Sequence, residues 1–567
     1  MDFIVRKENW LHALILVAVL APYFVFLGES SLWDANEAFY AETPREMREA
    51  GNYVIPLFNY TFRWQKPPLA YWGVCLSYAC FGVSEWSERL PIALAACAWI
   101  LLAYVVGRHW FSSRTGLTAA LFLALNFRVF IMSRRAITEI WLAFFLSLAL
   151  VLAAKALWGE KRPSLIWMTA AWAALALAVL TKGPVALILF AGILFGCLLL
   201  AKKPVLQAAA LCAPGAILLA VLLFPWYYRV IDWVGLSPVR SFLLSDNLGR
   251  FLTEDFGPLR GPFYYVGVFL SDFAPWAELG LAVLIFQFSR NREMYGRGCE
   301  VPYRPFLLFW FLAVFLFFSF SRNKQEYYIL PLYFPAALLF AEAWNAKTID
   351  SRWCAPVCRL LFVFIALAAI SVLPVARQAM PELLAAAGIT GRDFLQWQTV
   401  LAAVAVLLAV FTWRRMWTSA LVTVLVFLWG CQLAVALWIL PAWEQNKPVR
   451  AMSYEIQRRA QPEDAVGYYR VAFPSLCFYL QRPIEELIDE RHFIQVILRS
   501  PNRKFFLLQE EDYTKLQPVL EKAGFYVVRK QNLWRWKLQD YWGKNQDKNS
   551  NTILLIAGPA EKGDNRR

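Results

Sequence analysis

The residues that can do chemistry concentrate in one segment near the N-terminus, Glu29 to Trp72. Its charged side chains, interleaved with aromatic ones, are Asp34, Glu37, Glu42, Glu46, Glu49, Arg45, Arg48, Arg63 and Lys66. A carboxylate can orient or deprotonate a hydroxyl, and a cation can stabilise the charge that grows on a departing phosphate. A segment that only joined two apolar spans would need far fewer residues. We therefore expect a catalytic loop at a membrane surface.

The remaining sequence indicates a membrane scaffold for this loop. The chain has 567 residues, of which 59% are hydrophobic and 17% are charged, whereas a soluble domain is about half apolar and a quarter charged. The mean hydropathy is +0.45. Many apolar stretches exceed the length of about 18 residues that identifies a transmembrane helix. The first, near Leu11 to Leu27, is followed by no clear cleavage site, so we expect a retained helix rather than a signal peptide.

Charge placement predicts the topology. With Arg6 and Lys7 inside and Pro68–Val83 lying on the membrane surface, nearly every short inner loop is basic, as the positive-inside rule requires. Treating Pro68–Val83 as a crossing would reverse all later loops and break the rule. We therefore predict about thirteen crossings. They lie near residues 11–27, 90–106, 117–132, 140–157, a fifth that ends at 181, 185–200, 206–226, 263–288, 306–320, 329–344, 360–373, 397–413 and 417–440.

This topology divides the chain into two domains. Residues 1–440 form the transmembrane domain, with a first outer loop at 29–89 that carries surface helices and a second at 227–262. Residues 441–567 are predicted to form a small α/β domain on the outer face, because short strand-like and helical runs alternate there. Strands are expected at Ala465–Val471, Lys504–Gln509, Phe525–Val528 and Trp534–Leu538. The polar tail after Lys544 is expected to be partly disordered.

Composition also excludes several functions. The net charge of +15 is explained by basic inner loops, and no nucleic-acid-binding motif occurs, so we expect no nucleic-acid partner. The ten cysteines are scattered through apolar spans and there are three histidines. A zinc site with CxxC spacing, or a His-based catalytic triad, is therefore not expected.

The predicted topology gathers charged residues on the outer face. Positive charge there runs against the positive-inside bias, so it points to the binding of an anion. The cations that can stabilise a departing phosphate are Lys66, Lys182, Arg250, Arg322 and Lys324. The carboxylates that can orient or deprotonate an acceptor are Asp34, Glu37 and Glu139. Loop aromatics such as Trp33, Phe39 and Tyr40 are candidate walls for a substrate.

Each of these residues also has a structural explanation. Thr43-Pro44 reads as a helix start, so Asp34 and Glu37 can cap or salt-bridge that helix, and Glu42, Glu46 and Glu49 can be charges on its surface. Glu139 can interact favourably with the N-terminus of the fourth span. Lys182 can extend to the interface, and Arg134 and Arg135 can be interfacial anchors.

Five motifs occur in one order over about residues 10–345: WDANEAFYAETPREM, FRWQKPPLAYW, SRRAITEIW, LTKGP and FSRNKQEYYILPLYFPAALL. Together they resemble the bacterial aminoarabinose transferase family, which is related to the protein O-mannosyltransferases. The resemblance implies a glycosyltransferase of membrane-embedded type in the bacterial inner membrane, with its site facing the periplasm. It implies undecaprenyl-phosphate-linked sugar, 4-amino-4-deoxy-L-arabinose or a similar one, as donor and lipid A or a related envelope molecule as acceptor, with membrane lipids as further partners.

The resemblance also implies roles for individual residues. Lys66 matches the lysine that binds the donor phosphate, Tyr40 and Glu42 lie in the YAE segment, and Glu139 takes the position of a second acidic residue. Lys182, Lys324 and Tyr328 match other loop positions. The predicted site is completed by Arg63, Arg250 and Arg322 as further cations.

The chain departs from the family pattern at three positions, one of which is Glu139, where Asp is usual. Asn36 stands where the family has Asp, so Asp34 or Glu37 is the expected base if the acceptor is a hydroxyl. No base is needed for an acceptor phosphate, which is already deprotonated. Gln65 stands where a Glu is common, which weakens a metal site there. No metal ligand is predicted, and a requirement for a divalent cation stays open.

Two alternative functions remain. The acceptor can be a protein or glycan hydroxyl instead of lipid A. A flippase for lipid-linked sugar is the non-enzymatic alternative, but a transporter would show internal repeats and charges near mid-membrane. The sequence shows no clear repeat, and its charges gather at one predicted face.

Overall fold

The structure, a computed structural model, describes residues 2–159, 164–200, 205–252, 260–290, 303–345, 354–379, 384–385, 388, 391–499, 503–534 and 550–558. Several basic residues of the predicted inner loops lie outside these ranges: Lys161, Arg162, Lys202, Lys203, Arg292, Arg297, Lys347 and Arg352. The described part is a multi-pass helical protein with a small C-terminal sheet, as the composition predicts.

Eight helices in the described residues are long and apolar enough to cross a membrane. They are Glu85–Trp110, Thr138–Trp158, Leu165–Lys182, Ala209–Val234, Tyr303–Phe320, Cys354–Val375, Gly391–Trp413 and Trp417–Asn446. A ninth span is counted if the pair Tyr264–Asp272 and Trp276–Ile285, which bends by 107°, is one crossing. Apolar side chains from these spans and from the shorter helices form one core cluster that includes Trp99, Phe130 and Trp310.

The other four predicted crossings form shorter or broken helices. Asp2–Leu20 and Val185–Leu200 contain apolar segments below the length of the long spans. The segment near 117–132 divides into Ser113–Ala124 and Phe127–Met132, because the Asn126 side chain caps the second helix through the N–H of Val129. The segment near 329–344 begins as a 3-10 helix, Glu326–Leu332, and continues as Tyr333–Asn345.

The first outer loop folds into a helix, a hairpin and a surface helix. The helix Asn36–Glu49 contains Pro44, so the predicted helix start at Thr43-Pro44 is wrong. An interior proline removes one backbone hydrogen bond and its ring crowds the preceding turn, but side-chain contacts of Glu37 and Arg45 stabilise this helix. The hairpin pairs β1, Leu57–Phe58, with β2, Thr61–Phe62. The surface helix Leu69–Phe81 has 13 residues, about 20 Å, which is too short for a bilayer core of about 30 Å.

The second outer loop is largely helical where it is described. After the helix Val205–Val234 the chain forms Leu236–Ser241, a π-helical segment Phe242–Gly249 and one turn, Arg250–Leu252. Residues 253–259 are outside the described ranges.

The C-terminal segment contains a five-stranded sheet in the order β4-β3-β5-β7-β6. The strands are β3 Ala465–Tyr469, β4 Glu485–Leu487, β5 Lys504–Gln509, β6 Tyr526–Trp534 and β7 Ser550–Gly558. Strands β3, β4 and β5 are parallel, and β7 is antiparallel to both neighbours, with Phe506 opposite Ile556. The helices are Pro448–Arg459, Ser475–Leu480, Glu490–Arg499 and Glu510–Lys522.

Strand β7 lies within the tail that was predicted to be partly disordered, and residues 535–549 and 559–567 on either side of it are outside the described ranges. Its apolar residues Ile553 to Ala557 are buried, and β7 lies between β5 and β6 inside the sheet. A run that is buried on both faces is continuously apolar rather than alternating, which is why it reads as an isolated apolar patch in a polar tail. The boundary predicted at residue 440 stays a prediction.

The C-terminal domain packs directly on the first outer loop. Phe58 of β1 belongs to the same apolar cluster as Met452 and Phe473. Asn59 exchanges two hydrogen bonds of 2.8 Å with the backbone of Ile484. The Glu444 carboxylate accepts bonds from the backbone and hydroxyl of Ser31. The sheet domain therefore covers one side of the charged loop.

Candidate functional site

The charged loop borders a cavity of about 230 Å³. The lining residues come from the first loop, from the segment 132–137 and the start of Thr138–Trp158, from the end of Leu165–Lys182 and from the 3-10 helix Glu326–Leu332. They are Trp33, Asp34, Asn36, Glu37, Phe39, Tyr40, Arg63, Gln65, Lys66, Tyr71, Met132, Arg135, Ile137, Glu139, Lys182, Tyr327 and Tyr328. We call this space the inner cavity. Eight of the twelve predicted site residues line it: Asp34, Glu37, Tyr40, Arg63, Lys66, Glu139, Lys182 and Tyr328.

Lys66 and Arg63 approach the inner cavity from the segment between the hairpin and the surface helix. Pro67 and Pro68 directly follow Lys66, and the surface helix begins at Leu69. The guanidinium of Arg63 lies 3.3 Å from the ring centroid of Phe39 and donates to Gln65 at 2.5 Å. The stacking on Phe39 and the two prolines restrict this segment, so both cations are held at the cavity wall.

Glu139 and Lys182 form an ion pair across the cavity, with 3.1 Å between Oε1 and Nζ. Glu139 lies in the first turn of Thr138–Trp158, and Lys182 is the last residue of Leu165–Lys182. That helix ends at Gly183, whose φ of +89° is outside the helical range. The position suits glycine, since a Cβ there would lie 2.8 Å from the Phe242 ring. The Lys182 ammonium also lies 4.8 Å from the ring centroid of Tyr328. The pair leaves Lys182 able to donate further hydrogen bonds into the cavity.

Glu37 lines the cavity but is held by a buried network. Its carboxylate accepts from Nε and Nη2 of Arg89, at 2.8 and 3.0 Å, and from the backbone N–H groups of Trp33 and Ala136. Burial raises the pKa of Glu37, but Arg89 outweighs it and the net pKa is below the usual value. Arg89 also donates to the carbonyls of Leu27 and Ser30. Glu37 thus ties the first loop to the segment that precedes Glu139.

Asp34 lies at the cavity wall and contacts the C-terminal domain. Its Oδ1 accepts from the backbone N–H of Ser475 at 2.8 Å, and its Oδ2 accepts from the hydroxyl of the same residue at 2.5 Å. The Asp34 residue is exposed toward the cavities, and protein surrounds its other sides. The loss of bulk water on those sides raises the pKa of Asp34 to about 7, against the opposing effect of the two Ser475 hydrogen bonds.

Two cations at the site were not predicted as site residues. Arg135 and Lys447 lie on the Trp33 indole, 4.0 and 3.8 Å from a ring centroid. Arg135 was predicted to lie on the outer face, where positive charge indicates the binding of an anion, with an interfacial anchor as the alternative. Its neighbour Arg134 is an anchor, because it donates to the carbonyls of Pro22 and Val25. No local pattern marks Lys447, which reaches the site from the start of the C-terminal domain.

Four predicted site residues are not among the residues that line the inner cavity. Glu42 forms a bidentate pair with Arg45, at 2.8 and 2.7 Å. Arg322 is exposed, and Lys324 is buried with its ammonium donating to the carbonyl of Ser321. The side chain of Arg250 lies outside the described residues. Their roles in substrate binding stay predictions.

Glu42 belongs to an ion-pair network beneath the hairpin. Glu42, Glu46 and Cys477 offer three possible metal ligands within 4.8 Å of one another. Arg45 already supplies positive charge there, through its pair with Glu42 and a second one with Glu49. Glu46 accepts from the backbone of Tyr60 at 2.9 Å. Burial, with the neighbouring Glu42, raises the pKa of Glu46 to about 8. We therefore interpret this cluster as a structural contact between the loop and the C-terminal domain.

The raised pKa of Glu46 predicts a pH-dependent stability. Between the usual glutamate pKa and about 8, the folded protein keeps a proton on Glu46 that the unfolded chain has released, so stability falls as the pH rises through this window. In Glu46→Gln this slope should be lost, and the variant should melt at a higher temperature than the wild type at pH 8. Melting curves from pH 5 to 9 test this, with the exposed Glu49→Gln as control. Parallel curves for wild type and Glu46→Gln would contradict the assignment.

The inner cavity is suited to an anionic ligand next to a carboxylate. Its lining includes the four cations Arg63, Lys66, Arg135 and Lys182, and the three carboxylates Asp34, Glu37 and Glu139. Glu37 is neutralised by Arg89, which is not a lining residue, so the positive charge that faces the cavity exceeds the negative charge. Aromatic rings of Trp33, Tyr40 and Tyr71 complete the walls. Such a site can hold a phosphate, stack a sugar ring and present a carboxylate to an acceptor.

Comparison with known proteins identifies relatives of the chain. Residues 11–231 match the family described as dolichyl-phosphate-mannose-protein mannosyltransferase. An uncharacterized protein of Aquifex aeolicus (strain VF5) is 31% identical over 322 residues, which cover 56% of this chain and 70% of that protein. The undecaprenyl phosphate-alpha-4-amino-4-deoxy-L-arabinose arabinosyl transferase of Pseudomonas paraeruginosa (strain DSM 24068 / PA7) is 30% identical over 351 residues. The match covers 60% of each chain, so it spans three fifths of that transferase.

The fold has a close counterpart among solved structures. The crystal structure of ArnT from Cupriavidus metallidurans bound to undecaprenyl phosphate superimposes with a TM-score of 0.75 at 21% sequence identity. The superposition covers 97% of this chain and 98% of ArnT, so the two share their fold over both the helical and the sheet parts. The chain is thus similar in sequence to the matched mannosyltransferase family and to the aminoarabinose transferase from Pseudomonas, and it shares its fold with ArnT.

Proposed function

We propose that the chain is an integral-membrane glycosyltransferase that moves a sugar from undecaprenyl phosphate to an acceptor at the outer face of the bacterial inner membrane. The observation that carries this proposal is the inner cavity, where Lys66, Lys182 and Arg63 meet Asp34 and Glu139. The donor named for the relative from Pseudomonas supports undecaprenyl-phosphate 4-amino-4-deoxy-L-arabinose as the sugar donor.

In the proposed reaction an acceptor oxygen forms a bond to C1 of the sugar. The bond between C1 and the phosphate oxygen breaks, and its electron pair stays on undecaprenyl phosphate. Lys66 and Lys182 would stabilise the negative charge that grows on that oxygen, which is the general means by which fixed cations lower such a barrier. A hydroxyl acceptor gives up its proton to a carboxylate at the wall, whereas a phosphate acceptor has none to give at neutral pH.

Lipid A, or a related envelope molecule, is the proposed acceptor. Next to the inner cavity lies a second space of about 660 Å³, which we call the outer cavity. It shares Trp33, Asp34 and Arg135 with the inner cavity and adds Lys447. Two cations on one indole suit an acceptor phosphate, and the greater volume suits a bulky amphiphile.

A protein hydroxyl is the alternative acceptor, since the matched family is described as a protein mannosyltransferase. Purified protein in liposomes, given radiolabelled undecaprenyl-phosphate 4-amino-4-deoxy-L-arabinose, separates the alternatives. Lipid A, a serine- and threonine-containing peptide, or no acceptor is supplied in parallel. Label on lipid A supports the proposal, label on the peptide shifts it to the alternative, and no release of undecaprenyl phosphate with either acceptor contradicts both.

The proposed periplasmic position of the site predicts a labelling pattern. A cysteine at Thr61 of β2 should react with an impermeant maleimide added to intact spheroplasts, and a cysteine at Ser112 should react only after permeabilisation. Both residues are exposed, and the predicted topology puts them on opposite faces. Each variant is compared with a background in which the exposed Cys80 is replaced by serine. The opposite pattern would place the site in the cytoplasm.

A further inference from the structure

Asp34 stands in the wall between the inner and outer cavities. It lines both, as do Trp33 and Arg135. The remaining lining of the outer cavity comes mainly from the C-terminal domain, including Lys447, Val449 and Phe473. A carboxylate in this wall can face a donor bound on the Lys66 side and an acceptor that enters from the C-terminal domain side.

The hydrogen-bonding capacity of the carboxylates distinguishes Asp34 from Glu37. A carboxylate offers about four lone-pair positions. Glu37 accepts from two Arg89 nitrogens and two backbone N–H groups, so its capacity is used. Asp34 accepts two described bonds, one at each oxygen, both from Ser475. Each Asp34 oxygen therefore retains a lone pair for an acceptor.

Both bonds to Asp34 come from the C-terminal domain. Ser475 is the first residue of the helix Ser475–Leu480. Its backbone N–H and its hydroxyl donate hydrogen bonds to the two oxygens of the Asp34 carboxylate. Two donors from one residue fix the plane of the carboxylate, not only its position. Ser475 itself is buried and is not among the residues that line either cavity. Its hydroxyl can thus act on a substrate only through Asp34.

We propose that Ser475 is a positioning residue of the transfer reaction, which holds the Asp34 carboxylate toward the acceptor so that the C-terminal domain completes the catalytic site. This inference rests on the proposed function. When the acceptor is a hydroxyl, its proton passes to Asp34 as the acceptor oxygen bonds to C1 and the C1–O bond to undecaprenyl phosphate breaks. Asp34 thereby acts as the general base. Asn36 cannot do so, because its amide does not accept a proton at neutral pH.

The charges around Asp34 make the pH profile informative. Lys447 favours the ionised form and Glu37 opposes it. The phenol of Tyr468 also interacts with Asp34, and Arg135 shares its cavity wall. The Ser475 bonds stabilise the ionised form, so removal of the hydroxyl should raise the pKa of Asp34. With a hydroxyl acceptor, whose proton passes to Asp34, the acidic limb of the rate profile should move to higher pH by about one unit.

The test compares kcat across pH for four proteins in liposomes: wild type, Ser475→Ala, Asp34→Asn and the double variant. We expect Ser475→Ala to lower kcat about tenfold at neutral pH and to shift the acidic limb of the rate profile to higher pH. Asp34→Asn should lower kcat about 10²–10⁴-fold. The double variant should match Asp34→Asn. Ser475→Thr keeps a hydroxyl and should restore rate and profile. Asn59→Ala removes another contact between the loop and the C-terminal domain, and should leave the profile unchanged.

The possible results separate the two claims. A wild-type protein that transfers sugar, with a Ser475→Ala variant that keeps the wild-type pH profile, overturns the positioning role alone. A further loss in the double variant beyond Asp34→Asn does the same, because Ser475 would then act independently of Asp34. If Ser475→Ala does not fold, the Ser475→Thr and Ser475→Cys profiles decide the question. A wild-type protein that releases no undecaprenyl phosphate overturns the proposed function and this inference together.

Discussion

Replacing Lys66 with alanine is expected to lower kcat about 10²–10³-fold, the usual loss when one group that stabilises a developing oxyanion is removed. Lys66 is half-buried at the wall of the inner cavity, close in sequence to Arg63 and the two prolines that restrict it. Its charge would act mainly on the phosphate oxygen that leaves, so the effect should fall on kcat more than on the apparent affinity for the acceptor. Initial rates with radiolabelled donor in liposomes measure this.

Two further variants make the Lys66 prediction specific. Lys66→Arg keeps the charge and should retain part of the rate, although its planar guanidinium will not reproduce the position of the ammonium. Lys515→Ala is the matched control, since Lys515 is exposed on the helix Glu510–Lys522 of the C-terminal domain. Wild-type turnover in a folded Lys66→Ala protein would remove Lys66 from the site.

Replacing Arg89 with alanine is expected to lower the free energy of unfolding by about 3–5 kcal/mol, the typical result of removing one partner of a buried ion pair. Arg89 is 1% exposed, and its guanidinium joins Glu37 to the carbonyls of Leu27 and Ser30. Its loss would leave the Glu37 carboxylate buried without a counter-charge. The apparent melting temperature in detergent, with the yield of monodisperse protein, measures the effect.

Arg450 offers the control for Arg89. It pairs with Glu85 and Glu444 near the same loop, but its side chain is 23% exposed, so water screens these pairs more than the pair of Arg89 and Glu37. Arg450→Ala should therefore melt closer to the wild type than Arg89→Ala does. Glu37→Ala should resemble Arg89→Ala, with stability and activity lost together. A Glu37→Ala protein that melts like the wild type but has no turnover would instead make Glu37 a catalytic residue.

Charge and hydropathy patterns predicted much of the architecture because membranes impose strong rules. Basic loops mark the inner face, so the residues opposite them can be grouped before any contact is known. That grouping placed Asp34, Lys66, Glu139 and Lys182 on one side, and the structure brings all four to one cavity. The short surface helix Leu69–Phe81 followed from the same rule.

The contacts that decide individual roles were not readable, because they join residues far apart in the chain. In the sequence, Glu37 cannot be distinguished from other loop carboxylates. In the structure, Arg89 of the first long span donates two hydrogen bonds to it. The partner of Asp34, Ser475, lies in the C-terminal domain, so the sequence near Asp34 does not indicate it. Pro44 marks a helix start by local preference, but the surrounding contacts keep it inside Asn36–Glu49.

The inner cavity is proposed to transfer a sugar from undecaprenyl phosphate to an acceptor. The most direct measurement counts, in one liposome sample, the sugar attached to lipid A and the undecaprenyl phosphate released, with and without lipid A. We predict equal amounts of the two products, formed only when lipid A is present and strongly reduced in Lys66→Ala. Donor that crosses the bilayer intact, with no release of undecaprenyl phosphate, would contradict the claim and indicate a transporter.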